Sequence, residues 1–174
     1  VTLDADDIPP GGTEDILRRV EALGCSYVVY STRKHRPGAP RLRIVLPLDR
    51  GVTADEYEPV ARKIAEIIDP TMAIYDPTTF EPSRLMYWPS CCADSEYVYR
   101  YGDKPMLNAD GILEKYTDWQ DWSSWPQVPG IAEKYRRSAQ RQQDPETKNG
   151  IVGAWCRVHP LTETLMTVLD GIYR

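Results

Sequence analysis

The strongest constraint on the fold is the interleaving of two helical patterns with several short strand patterns. In "TEDILRRVEALG", Ile16, Leu17, Val20 and Leu23 recur at helical spacing, acids occupy the first turn, Thr13 is placed as a cap and Gly24 ends the run. In "TADEYEPVARKIAEIIDP", Thr53 and Glu56 have the spacing of a capping box, and Val60, Ala61, Ile64, Ile67 and Ile68 supply an apolar face. Pro59 falls early enough to act as a mild kink or to define the start of the regular part. Around these helices stand "VTLDAD", "CSYVVY", "RLRIVLPL", "TMAIY", "RLMYW" and "EYVYRYG", all rich in β-formers. The order predicts an α/β (α+β) fold: a mixed, largely antiparallel sheet flanked by helices on one face.

The 174 residues suffice for one domain, or one domain with a small extension. No apolar run is long enough for a transmembrane helix, and the start carries no secretory pattern, so no membrane role is expected. Val1 opens the chain already inside a strand pattern, as in a fragment whose upstream part is missing. Composition shifts late in the chain. "YTDWQDWSSWPQVPG" has little periodicity, "IAEKYRRSAQRQQDPETKNG" is polar and helix-prone, and "LTETLMTVLDGIY" reads as a short amphipathic helix. The expected division is therefore a core over 1–117 and a Trp/Pro-rich and helical extension over 118–174. Cys25, Cys91, Cys92 and Cys156 form no C-x-x-C pair and read as free thiols of a reducing cytosol.

Charge is unevenly placed. The net charge is -5, which weighs against a dedicated nucleic-acid coating protein. Yet "STRKHRPGAPRLR" gathers Arg33, Lys34, Arg36, Arg41 and Arg43 with His35 and no acid. Arginine forks and the Ser31 and Thr32 hydroxyls suit phosphate oxygens. Arg41 and Arg43 alternate, so on a strand both face one side. The plainer alternative is a solvated loop whose charges guard an edge strand.

Acids supply the complement. Asp4 and Asp6 stand at alternate positions, and Asp76 directly follows the apolar "AIY". By themselves Asp4 and Asp6 suit a solvated strand end, and Asp76 suits a turn. Together the three are a minimal carboxylate set for two hard divalent ions and phosphoryl transfer. Arg84 could grip phosphate, hold Asp76 in place or simply decorate the surface. His159 reads as a surface or capping residue. No phosphate-binding P-loop, serine-hydrolase elbow, H-E-x-x-H or paired-histidine nickase motif is present.

"LDAD", "YSTRKHRPGAPRLRIVLPL", "YDPTTFEPSRLMYWPS" and "GIVGAWCRVHPLTETLMTVLDGIY", in this order and spacing, resemble the primase-polymerase domain of phage and prophage replication proteins. That domain belongs to the archaeo-eukaryotic primase superfamily. The resemblance spans nearly the whole chain, and its second and third passages are the specific ones. It implies an RNA-recognition-motif-like catalytic sheet beside a second subdomain that usually lies upstream, so the expectation is either a core truncated at its N-terminus or a minimal member of the family. It implies that Asp4, Asp6 and Asp76 are catalytic and bind Mg²⁺ or Mn²⁺. Ser31, His35, Arg41, Arg43 and Arg84 would hold the nucleoside triphosphate. The family's second motif, a Ser near a His at a strand start, is matched imperfectly. Ser31 and His35 lie in the loop, and Arg43 stands inside the strand, so either His35 or Arg43 is the phosphate ligand. Lys34, Lys134 and Arg137 would meet a single-stranded DNA template, together with aromatic strand residues. The resemblance further implies an attached or partner helicase and the cytoplasm of a bacterial host. The expected function is a DNA primase/polymerase. The rival readings are a non-catalytic module binding single-stranded DNA or a nucleotide, and a metal-dependent nuclease.

Overall fold

The computed structural model describes residues 1–130, together with 154 and 158. A compact unit spans Val1–Ile131. Its elements are β1 (Thr2–Ala5), α1 (Thr13–Ala22), β2 (Tyr27–Ser31), β3 (Leu42–Val45), α2 (Ala54–Ile68), β4 (Tyr99–Gly102) and α3 (Ala109–Leu113), with 3₁₀ turns at Pro77–Phe80 and Trp122–Ser124. The strands form one sheet in the order β1-β3-β2-β4. Every pairing is antiparallel. The α+β class is as expected, and no parallel pairing joins these four strands.

Register divides the sheet into two faces. Leu3, Ala5, Tyr27, Val29, Leu42 and Ile44 are buried on one face. Ile16, Leu17 and Val20 of α1 and Val60, Ile64 and Ile68 of α2 join them in a single apolar core. The alternate residues face the other way. Asp4, Arg43, Tyr30 and Tyr99 are mutual partners in the ladder and form one row across all four strands. Gly102 is a core-face position with no room for a side chain, because a Cβ there would lie 2.6 Å from the Tyr27 ring.

Local chemistry explains the departures from the sequence reading. The predicted strand "TMAIY" contributes only a single bridge, Ala5 with Tyr75. Asp69 accepts hydrogen bonds from the Thr71 amide and hydroxyl, and Met72 takes φ 57°, so the chain turns instead of extending. "RLMYW" is irregular rather than a strand: Leu85, Tyr87 and Trp88 are exposed, and the run joins no sheet. Strand "EYVYRYG" is shorter than expected and starts at Tyr99. Gly12, not Thr13, is the N-cap of α1, and no side chain caps that helix. The Thr53–Glu56 capping box is present in full, and α2 continues through the buried Pro59. Its Glu56 carboxylate, held by Arg50 and the Thr53 amide, is pulled down to about 2. The sequence reading missed α3, whose Asn108 side chain accepts from the Gly111 amide. The helices expected beyond residue 130 lie outside the described residues. Among those described, no helix is long and apolar enough to cross a membrane.

Candidate functional site

Asp4 and Asp6 leave β1 on the face away from the core, and Asp76 arrives beside them. The Ala5–Tyr75 bridge sets this neighbourhood, and the Asp76 amide donates to the Asp4 carbonyl at 2.9 Å. Thr79 completes the frame. Its fully buried hydroxyl donates to the Thr2 carbonyl and accepts from the Asp4 amide at 2.9 Å. Asp76 accepts from the Thr78 amide and hydroxyl at 3.0 and 2.8 Å, and so caps the Pro77–Phe80 turn. The sequence reading did not find Thr78 and Thr79; the Asp-Pro-Thr-Thr run, a turn starter with two hydroxyls, was the available signal.

Each of the three carboxylates meets its own arginine. Arg43 reaches Asp4 with a two-pronged fork, Nε to Oδ1 at 2.6 Å and Nη2 to Oδ2 at 3.1 Å. Arg41 Nη1 meets Asp6 Oδ2 at 2.7 Å, and Arg84 Nη2 meets Asp76 Oδ2 at 3.3 Å. Burial separates the pairs. The Asp4–Arg43 side chains are 7% and 10% exposed, whereas Asp6 and Arg41 are 30% and 32% exposed. Arg43 lies beneath the irregular segment, where it donates to the Tyr87 carbonyl, and 5.9 Å from the Tyr30 ring centroid. Burial opposes its charge, but the bonds and charge of Asp4 outweigh that and raise its pKa.

The Asp6 carboxyl is also raised. Burial is the first cause; Arg41 opposes it, and the negative charges of Asp4, Asp76 and Asp7 add to it. A raised acid is less easily ionised in the folded chain than in the unfolded one. Stability is therefore lost as pH rises from the ordinary value of 3.8 through the raised one. Asp6→Asn removes this dependence. Thermal melts from about pH 3.5 to 7 should show the variant gaining on the wild type as pH rises. A gap that is constant or narrows would contradict the assignment.

Ser31 and His35 take other positions. Ser31 is on the core face, 1% exposed, and its hydroxyl accepts from the Val98 amide at 2.9 Å. His35, also 1% exposed, accepts from the Arg41 amide at Nδ1 at 3.1 Å. Ser31, the last residue of β2 rather than part of the loop, ties that strand to the approach of β4, whereas His35 shapes the basic loop, and neither hydrogen-bonds an acid of the cluster. Lys34 is exposed in that loop. Lys134 and Arg137 lie outside the described residues. A groove of ≈ 690 Å³ elsewhere is lined by the first turn of α2 and by Trp119, Trp122 and Trp125, and includes none of the candidate residues.

Tested against a hard divalent ion, the donor set is right in kind: three carboxylates on adjacent backbone, close enough for two of them to disturb the third. Their present partners are guanidinium groups. Among the described residues no group of three or more His, Cys, Asp or Glu is already arranged around a common ion position. The resting cluster is balanced by arginine.

The chain matches the family model of the VapE N-terminal domain over residues 1–128. No curated protein and no solved structure matches it. A match over that share of the chain, coinciding with the unit that carries the acid–arginine cluster, places the protein in the VapE N-terminal domain family, a domain of phage- and prophage-associated replication proteins.

Proposed function

We propose that this domain is a primase-polymerase-type nucleotidyltransferase module of a phage or mobile-element replication protein. The observation that carries the reading is the convergence of Asp4, Asp6 and Asp76 with Arg41, Arg43 and Arg84 at one end of the sheet face turned away from the core. The topology supports it. The β1-α1-β2-β3-α2 order, followed by the Tyr75 bridge back onto β1, follows the strand order of a split βαββαβ unit. Asp4, Asp6 and Asp76 are the residues that would hold Mg²⁺ or Mn²⁺. Such an ion, when bound, neutralises phosphate charge and activates the attacking hydroxyl. With those acids engaged by an ion, Arg41, Arg43 and Arg84 would be the groups available to grip triphosphate oxygens with their guanidinium forks. Thr79 and Thr78 keep the acid-bearing backbone fixed while side-chain partners exchange. Single-stranded template and a helicase, attached or separate, are the partners this reading calls for, in the cytoplasm of a bacterial host.

The buried Asp4–Arg43 fork favours a second reading, a module that binds nucleotide or single-stranded DNA without synthesis. The deciding experiment is incorporation of labelled nucleotide on a primed or unprimed template with Mg²⁺ or Mn²⁺. Asp76→Asn preserves the acceptor that caps the turn, so the fold survives. Synthesis by the wild type that falls about 100-fold or more in the variant supports transfer chemistry. Equal synthesis by both overturns it. Nucleotide and DNA binding with no incorporation by the wild type establishes the second reading.

A further inference from the structure

On the sheet face turned away from the core, the half farthest from the acids is aromatic. Tyr97, Tyr99 and Tyr101 occupy alternate positions along β4 and its approach, so their rings stand on one side. All three are about half exposed or more, at 48%, 55% and 64%. The Tyr97 and Tyr99 rings are nearly parallel, 9° apart with centroids at 6.5 Å, and the Tyr101 centroid follows 6.0 Å from Tyr99. The row continues inward through Tyr30 and Arg43 to Asp4. A core does not call for this: the helices cover the opposite face, and the three rings serve no buried cluster.

Charge identifies the occupant. β2 ends beside Tyr97 and Tyr99, where Ser31 and Val98 exchange hydrogen bonds, and the basic loop begins there. Arg33 and Lys34 in that loop are exposed, and neither pairs with an acid among the described residues. A ladder of solvent-facing rings, with exposed cations in the loop just beyond the end of β2, suits bases that stack and phosphates that need neutralising. It suits a second copy of this acidic chain poorly, because a stable interface needs about 1,000 Å² or more and the ladder offers only three rings.

We infer that Tyr97, Tyr99 and Tyr101 form a stacking platform for single-stranded DNA, with Arg33 and Lys34 as its phosphate contacts and Tyr30 leading the strand toward the acid–arginine cluster. The inference rests on the replication reading above and names where that reading's template lies. Its test is separable from that of transfer chemistry.

The full 174-residue chain is titrated against a labelled deoxythymidine oligomer of about 12 nucleotides by fluorescence anisotropy. Tyr99→Ala and Tyr101→Ala should each weaken binding about five- to a hundredfold, while Tyr99→Phe, which keeps the ring, stays near wild type. Arg33→Gln and Lys34→Gln should each lower the slope of log affinity against log salt by about 0.7. Alanine variants within twofold of wild type overturn the platform, as does a phenylalanine variant as weak as alanine. Binding confined to RNA of the same length overturns it too, as does loss of a self-associated species in light scattering with DNA affinity unchanged. If the tyrosine variants bind normally while Asp76→Asn abolishes incorporation, the platform falls and the transfer reading stands. If the rings carry DNA binding but the wild type incorporates nothing, the transfer reading falls and the platform stands.

Discussion

Arg43→Ala should destabilise the domain by about 3–5 kcal/mol, because it strands a buried carboxylate. Asp4 is 5% exposed and has both oxygens in the Arg43 fork. Removing the guanidinium leaves that charge without a partner or access to water, the costly way to break a buried pair. The Tyr87 carbonyl loses its donor at the same time, so the segment over the site loosens as well. The expected drop in melting temperature is on the order of 10–20 °C for a unit of this size. Arg41→Ala is the internal comparison. That pair is about one-third exposed, and its loss should cost no more than about 1 kcal/mol. The double variant Asp4→Leu/Arg43→Met should recover much of the single-variant loss, since no uncompensated charge remains. Arg43→Ala melting within about 3 °C of wild type would show that Asp4 finds water or another cation.

Phe80→Ala should cost about 3–5 kcal/mol, by a different mechanism. Phe80 is 1% exposed, stands edge-on to Tyr75 at 6.3 Å and lies 4.5 Å beneath the Arg62 guanidinium. Truncation removes the ring's transfer energy and leaves a cavity that Tyr75, tied by its hydroxyl to the Ala65 carbonyl, is not free to fill. Arg62 keeps its bonds to Glu58 and the Pro126 carbonyl but loses the ring beneath its charge. Phe80 also ends the turn that presents Asp76 and Thr79, so the loss should reach the site. Phe80→Leu should cost markedly less. Denaturant midpoints read both variants, and a loss below about 1 kcal/mol for alanine would mean the turn is not anchored by this ring.

Both helices of the core were legible in the sequence because apolar spacing is a local signal, although the cap expected at Thr13 of α1 is not formed. The Thr53–Glu56 box is the clearest case: two residues and a spacing specify a helix start, and the start forms there. The strands were legible where β-formers alternate within a buried sheet, as in "YVVYS" and "LRIV". They were misread in "TMAIY" and "RLMYW", where the residue types favour extension but the neighbourhood does not. Asp69 and Thr71 turn the first run, and the second has no strand beside it. The same limit applies to the site. The D-x-D spacing and the basic loop could be read in advance, and the structure brings Asp4, Asp6 and Asp76 together with Arg41, Arg43 and Arg84. That each acid holds an arginine depends on the register Asp4↔Arg43, which no local pattern encodes. The inward turn of Ser31 followed from a one-residue alternation, since its neighbour Tyr30 faces the acids' side.

The position of β4 also bears on how the protein behaves at high concentration. Among the described residues it is an edge strand, paired on one side only with β2. Such an edge offers unpaired amides and carbonyls to any similar strand, and here it also carries exposed tyrosines. Its protection is modest: four residues of length, and Arg100 tethered to Glu14 of α1 as a charge within the strand. The net charge of -5 adds a general repulsion between copies that salt weakens. The backbone edge of β4, rather than its tyrosine face, is therefore where copies of this unit would pair, and raising the ionic strength would weaken the charge that keeps them apart.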